Sequence, residues 1–81
     1  MSTVSLEVEF TIEPFVAGEP GPHVRAAIEA AEQAGVAVDV GPFGTSVSGD
    51  DDAVLTAVDR LLRAATAAGA TRVSLQVVRP A

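Results

Sequence analysis

Apolar and polar residues alternate without a break from Val4 to Glu13, and this pattern constrains the fold more than any other feature of the chain. A period of two is typical of a β-strand that buries one face, because successive side chains point to opposite sides of the sheet. The residues expected on the buried face are Val4, Leu6, Val8, Phe10 and Ile12. Residues 3–13 are therefore predicted to form the first strand, and Pro14 is predicted to end it.

Two later segments repeat their apolar residues every three or four positions, as amphipathic helices do. The first is predicted to begin at Pro22, since proline suits the first helical position, and to end at Gly35. Its inward residues are Val24, Ala27, Ile28 and Ala31. The second follows three aspartates at residues 50–52 and is predicted to end at Gly69. Its apolar residues are Val54, Leu55, Val58, Leu61, Leu62 and Ala65.

Residues 36–40, 43–48 and 71–79 are predicted to be three further strands, the second of which is broken by Gly49. The order β-α-β-β-α-β, with right-handed crossovers, predicts a ferredoxin-like α+β sandwich. Its antiparallel sheet has the strand order 4-1-3-2, and both helices lie on one face. A single domain over residues 1–81 is expected. The predicted core comprises Val4, Leu6, Val8, Phe10, Ile12, Ile28, Val38, Val47, Leu55, Val58, Leu62, Val73, Leu75 and Val77.

The core that this sequence can build is thin, because 15 alanines and 13 valines make up most of its apolar residues. Small domains usually need an additional source of stability. Disulfides and thiolate metal sites are excluded since there is no cysteine, and one histidine cannot make a zinc cluster. We therefore expect a homo-oligomer, a dimer or a tetramer, formed through the uncovered sheet face or a strand edge.

The net charge of -6, with five arginines and no lysine, argues against binding to nucleic acid or to an anionic membrane. Residues 1–10 lack the basic start of a secretory signal, and no apolar run approaches the roughly 18 residues of a membrane span. These features predict a cytoplasmic protein.

Three groups of residues invite a chemical interpretation, and each has a simpler one. The aspartates at residues 50–52 are better explained as a helix N-terminus than as a metal site. His23 is either a surface histidine or a ligand contact. The carboxylates Glu7, Glu9 and Glu13 share one sheet face. They are either solvated or paired with Arg72 or Arg79 in an oligomer, or they bind a cation or an aminopyrimidine, or they take part in acid–base chemistry. No nucleophile–base pair is evident, so we expect neither catalytic residues nor an enzyme.

The chain resembles the thiamine-binding protein family in four strings that together span nearly its whole length. They are residues 9–15 (EFTIEPF), 21–24 (GPHV), 38–45 (VDVGPFGT) and 72–77 (RVSLQV). The glycine-proline-aromatic-glycine-threonine hairpin is the most specific of these elements. The resemblance implies a ferredoxin-like fold, homo-oligomers, a cytoplasmic location, and ligand binding without catalysis.

A binding site is predicted where strand one ends and strand three begins, because helix one and strand four also start at this end of the sheet. A carboxylate there can offset the thiazolium charge of thiamine, hydroxyls or the carboxamide of Gln76 can bond its pyrimidine, and phenylalanines can stack. The predicted ligand-binding residues are Glu9, Thr11, Glu13, Phe15, His23, Phe43, Thr45 and Ser46. Thiamine or its pyrimidine moiety is the expected ligand, with no cofactor or metal. The alternative is a structural or regulatory oligomerisation domain without a small ligand.

Overall fold

The computed structural model describes residues 5–14, 21–41 and 44–79, and its elements follow the predicted β-α-β-β-α-β order. The elements are β1 (Ser5–Glu13), α1 (Pro22–Gln33), β2 (Ala37–Val40), β3 (Thr45–Asp50), α2 (Asp51–Ala67) and β4 (Arg72–Val78).

The four strands form one sheet with the order β2-β3-β1-β4, and every neighbouring pair is antiparallel. This is the predicted order, and together with the two helices it confirms the ferredoxin-like α+β fold. β1 is central, because β3 pairs with one of its edges and β4 with the other. Residues 7–10 of β1 therefore have cross-strand neighbours on both sides, which places β1 at the centre of the sheet.

One face of the sheet packs against both helices. Val8, Phe10 and Ile12 of β1 are buried there, as the alternation predicts, and Val47 of β3 lies opposite Val8. The helices contribute mainly small side chains, so they can approach the sheet and each other closely. The buried helical apolar residues are Ala27, Ala31, Val54, Ala57, Leu61 and Ala65.

The prediction that Leu55 and Val77 belong to the core is wrong, since Leu55 is 53% exposed and Val77 is 50% exposed. Leu55 lies on the flank of α2, because the buried arc of the helix is centred on Val54, Ala57 and Leu61. Val77 lies near the end of β4, a strand at the edge of the sheet. Several other predicted core residues are only half-buried, namely Leu6, Ile28, Val38, Val58, Leu62, Val73 and Leu75, and Val4 is outside the described residues.

Both helices end as predicted. Gly35 and Gly69 follow them with φ of 83° and 107°, a left-handed conformation that glycine adopts without steric cost. The prediction for strand three was wrong at its end, because β3 continues through Gly49, which pairs with Leu6, to Asp50. Asp50 is the N-cap residue of α2, but its side chain makes no capping hydrogen bond. The aspartates at 51 and 52 instead supply negative charge in the first helical turn.

Candidate functional site

The face of the sheet opposite the helices is called the open face here, and its residues are set by the alternation of each strand. β1 places Glu7, Glu9, Thr11 and Glu13 on it, and β3 adds Ser46 and Ser48. β2 contributes Ala37 and Asp39, and β4 contributes Arg72, Ser74, Gln76 and Val78. Most of these side chains are polar, and four of them are carboxylates. The open face is therefore suited to a polar or cationic partner rather than to a second apolar layer.

Four open-face residues lie in one row across all four strands. Glu9 is opposite Ser46 on one side and Gln76 on the other, and Ser46 is in turn opposite Asp39. Neighbouring strands lie about 4.8 Å apart, so adjacent members of the row are within reach of a single small molecule. Glu9 thus stands between a hydroxyl and a carboxamide, with a second carboxylate two strands away.

This row crosses a cavity of about 570 Å³. The described residues that line it are Glu9, Phe10, Thr11, Asp39, Gly41, Gly44, Thr45, Ser46, Ser74, Leu75 and Gln76. A volume of this size falls within the range of about 300–1,000 Å³ that is typical of small-molecule sites. Three predicted site residues, Glu9, Thr11 and Ser46, come together here with their side chains on the open face.

Thr45 also lines the cavity, but its side chain belongs to the opposite face. Thr45 pairs with Phe10, and it lies two residues before Val47 on the same strand. Its side chain therefore points toward the helices, as that of Val47 does, and it is buried. Residues whose side chains point toward the helices, including Phe10 and Leu75, present only their backbone to the open face. They form the floor of the cavity.

Glu13 lies at the end of β1, beyond the cavity lining. Its carboxylate oxygen Oε2 is 3.4 Å from Nε of Arg72, which is the cross-strand neighbour of Glu13 on β4. Both side chains are exposed, and exposed ion pairs contribute little to stability. The pairing occurs within one subunit, and it involves the arginine that β4 places on the open face.

His23 is set apart from the cavity lining. Its side chain is 8% exposed, and Nε2 lies 2.6 Å from the carbonyl oxygen of Pro14. The convergence of the start of α1 and the end of β1 is therefore present as expected, but His23 is directed to the backbone of that junction. Phe15 and Phe43, the predicted stacking residues, lie outside the described residues.

The aspartates at residues 50–52 lie at the far end of the sheet, because Asp50 is opposite Ser5 at the start of β1. Within residues 5–14, 21–41 and 44–79, no group of three or more histidine, cysteine or acidic side chains is arranged to hold a metal ion. Neither described helix has the length and apolarity that a membrane crossing needs.

Two polar open-face residues of the cavity, Asp39 and Ser74, were not predicted to contact a ligand. The signal for Asp39 was present in the alternation of Val38, Asp39 and Val40, which places the carboxylate on the side away from the core. Its position beside Ser46 depends on the β2–β3 register, which the sequence pattern does not supply.

The fold and this cavity define a small α+β domain with a polar cavity on the exposed face of its sheet. A family model for thiamine-binding proteins matches residues 8–78, and the chain belongs to this family. Comparison with curated proteins gives no significant match.

Solved structures support the same architecture. A domain of unknown function, DUF77, from Bacillus cereus is 28% identical with a TM-score of 0.70, over 98% of this chain and 77% of the other. A hypothetical protein from Methanocaldococcus jannascii is 22% identical with a TM-score of 0.64, over 95% and 79% of the two chains. A Thermotoga maritima protein, provisionally described as a thiamine biosynthesis or salvage protein, is 23% identical with a TM-score of 0.51, over 91% and 80%.

Proposed function

We propose that this protein binds thiamine, or the pyrimidine half of thiamine, in the open-face cavity without transforming it. The observation that carries the proposal is the position of Glu9, a carboxylate in the row across a cavity of about 570 Å³, between the neutral hydrogen-bonding groups of Ser46 and Gln76. Membership of the thiamine-binding protein family supports the choice of ligand.

The chemistry of the cavity matches the two halves of thiamine. The thiazolium ring carries a fixed positive charge, which Glu9 would offset, and charged partners strengthen hydrogen bonds in such a site. The aminopyrimidine ring offers both an amino donor and ring-nitrogen acceptors. The carboxamide of Gln76 can donate and accept, and so can the hydroxyls of Thr11 and Ser46. Stacking by Phe15 or Phe43 remains a prediction from the sequence.

Binding without catalysis is favoured by the side chains around the cavity. The described lining residues include carboxylates and hydroxyls, but none of them is a histidine, lysine or arginine. A hydroxyl nucleophile in such a site would therefore have to rely on a carboxylate alone for activation. A cytoplasmic location, as expected from the sequence and from the family resemblance, is part of the same proposal.

Calorimetric titration of thiamine and of hydroxymethylpyrimidine into the protein tests this proposal. Glu9→Gln keeps the shape of the side chain and removes its charge, and we expect it to weaken thiamine binding about tenfold or more. Glu29→Gln is the matched control, because Glu29 is an exposed residue of α1 and lies outside the cavity. Absence of binding at millimolar ligand, or equal weakening by both substitutions, would contradict the proposal.

We also propose that two copies of the chain associate through β4. This proposal corresponds to the alternative interpretation, in which the protein is an oligomerisation domain. Among the described strands, β4 pairs only with β1, so its outer edge offers backbone donors and acceptors to another strand. Val77 and Val78 are 50% and 46% exposed at the end of this edge. Antiparallel pairing of β4 with its own copy would cover both and join two sheets about a two-fold axis.

A further inference from the structure

We propose that the cavity selects the unphosphorylated cation over its phosphate esters, and that Asp39 acts with Glu9 as the specificity-determining pair. This inference rests on the function proposed above. It concerns which chemical form of an aminopyrimidine–thiazolium ligand the site accepts, and it assigns a role to a residue of the edge strand β2.

The two carboxylates face the same space from different strands. Asp39 is opposite Ser46, and Ser46 is opposite Glu9, so the carboxylates share one row of the open face and both line the cavity. Two strand spacings separate their backbones by about 10 Å. A ligand seated over Ser46 would therefore have a negative charge on either side, whichever way it is oriented along the row.

Nothing among the described cavity residues compensates for this negative charge. Of the chain's five arginines, Arg25, Arg60 and Arg63 belong to the helices, which cover the other face. Arg79 follows β4 at the end of the sheet that is far from Glu13. Arg72 shares the open face, but its guanidinium pairs with Glu13. A phosphate in the cavity would thus meet two like charges, and such juxtaposition is strongly unfavourable.

The described lining of the cavity includes neither helix N-terminus. Phosphates without basic side chains are commonly held by free amides of glycine-rich turns or of helix N-termini. In the cavity lining, the amide of Gly41 already donates to the carbonyl oxygen of Gly44 at 2.8 Å. Charge therefore favours the free cation.

Titration calorimetry with thiamine, thiamine monophosphate and thiamine diphosphate, at one ionic strength, tests the inference. For the unmodified protein we expect thiamine to bind at least about tenfold more tightly than either ester. Asp39→Asn should weaken thiamine binding and reduce the preference for thiamine over its monophosphate by several-fold. Asp39 is exposed, so this substitution should leave folding intact, which circular dichroism verifies.

Glu7→Gln is the matched control for the general charge of the open face. Glu7 lies on the same strand and the same face as Glu9 but does not line the cavity. We expect this substitution to change the preference for thiamine over its monophosphate by less than about twofold, because a partly solvated charge outside the cavity is screened. Equal affinities for thiamine and its esters, or an unchanged preference in Asp39→Asn, would overturn this inference alone. Failure of every ligand to bind would overturn the proposed function as well.

Discussion

Nε2 of His23 donates a hydrogen bond to the carbonyl oxygen of Pro14 at 2.6 Å and so connects the first turn of α1 to the end of β1. A carbonyl oxygen only accepts, which assigns the proton to Nε2 of the imidazole. The ring is also closely packed, because a Cβ atom added to Gly21 would lie 2.8 Å from its Cε1 atom. His23 is thus a structural connection at the end of the sheet that borders the candidate site.

Replacing His23 should lower stability more than it alters ligand binding. His23→Phe keeps a ring of similar size but cannot donate to Pro14, and we expect the free energy of unfolding to fall by about 1 kcal/mol. His23→Ala also leaves a cavity, and we expect a larger loss of about 2–3 kcal/mol. Urea denaturation of both variants measures these changes.

Thiamine titration of His23→Phe decides between the two roles of this residue. A ligand contact, as predicted from the sequence, requires a large loss of affinity in the folded variant. The buried position of His23 outside the cavity lining favours an affinity close to that of the unmodified protein. Unchanged stability together with a lost affinity would show that the hydrogen bond to Pro14 is not its main role.

A pair of leucines on α2 tests how the helix packs. Leu61 is fully buried, whereas Leu55 is 53% exposed on the flank of the same helix. Leu61→Ala should cost about 2–5 kcal/mol of unfolding free energy, because it removes buried methyl groups and leaves a cavity. Leu55→Ala should cost under about 1 kcal/mol, since substitutions at exposed positions have small effects. Chemical denaturation of the two variants compares them directly, and equal losses would mean that the helix is rotated.

The phase of α2 was harder to predict than that of β1 for a physical reason. In β1 every second residue is apolar, so only one face can be buried. In α2 the apolar residues from Val54 to Ala65 cover a broad arc, and hydrophobicity alone does not locate its centre. The centre is occupied by Ala57, a small residue that the pattern did not single out. Close approach of α1 and α2 depends on such alanines, which carry a weak hydrophobic signal.

The candidate site was predictable in part for a similar reason. Alternation in β1 and β3 places Glu9, Thr11 and Ser46 on one face, and the paired strands bring them together. The same alternation turns the Thr45 side chain toward the helices, so strand alternation alone does not place this side chain at the site. Asp39 joins the site only through the pairing of β2 with β3, a contact between strands that periodicity within one strand does not contain.

The two edges of the sheet differ in a way that makes the proposed dimer testable. β2 has four residues and β4 has seven, so β4 offers the longer outer edge among the described strands. Each strand carries a valine of similar exposure, since Val40 of β2 is 54% exposed and Val78 of β4 is 46% exposed. A lysine on the open edge of a strand opposes edge-to-edge pairing, because its charge must be desolvated against the neighbouring strand.

We expect Val78→Lys to shift the protein from a dimer to a monomer, while Val40→Lys leaves the dimer intact. Val78 would lie beside the second copy of β4. The two-fold axis would place one substituted lysine at each end of the interface. Val40 is the control because it has a similar exposure on the opposite edge. Size-exclusion chromatography with light scattering at micromolar protein measures the masses, and the 8.2 kDa chain makes monomer and dimer easy to separate. A monomeric unmodified protein, or dissociation by Val40→Lys alone, would contradict assembly through β4.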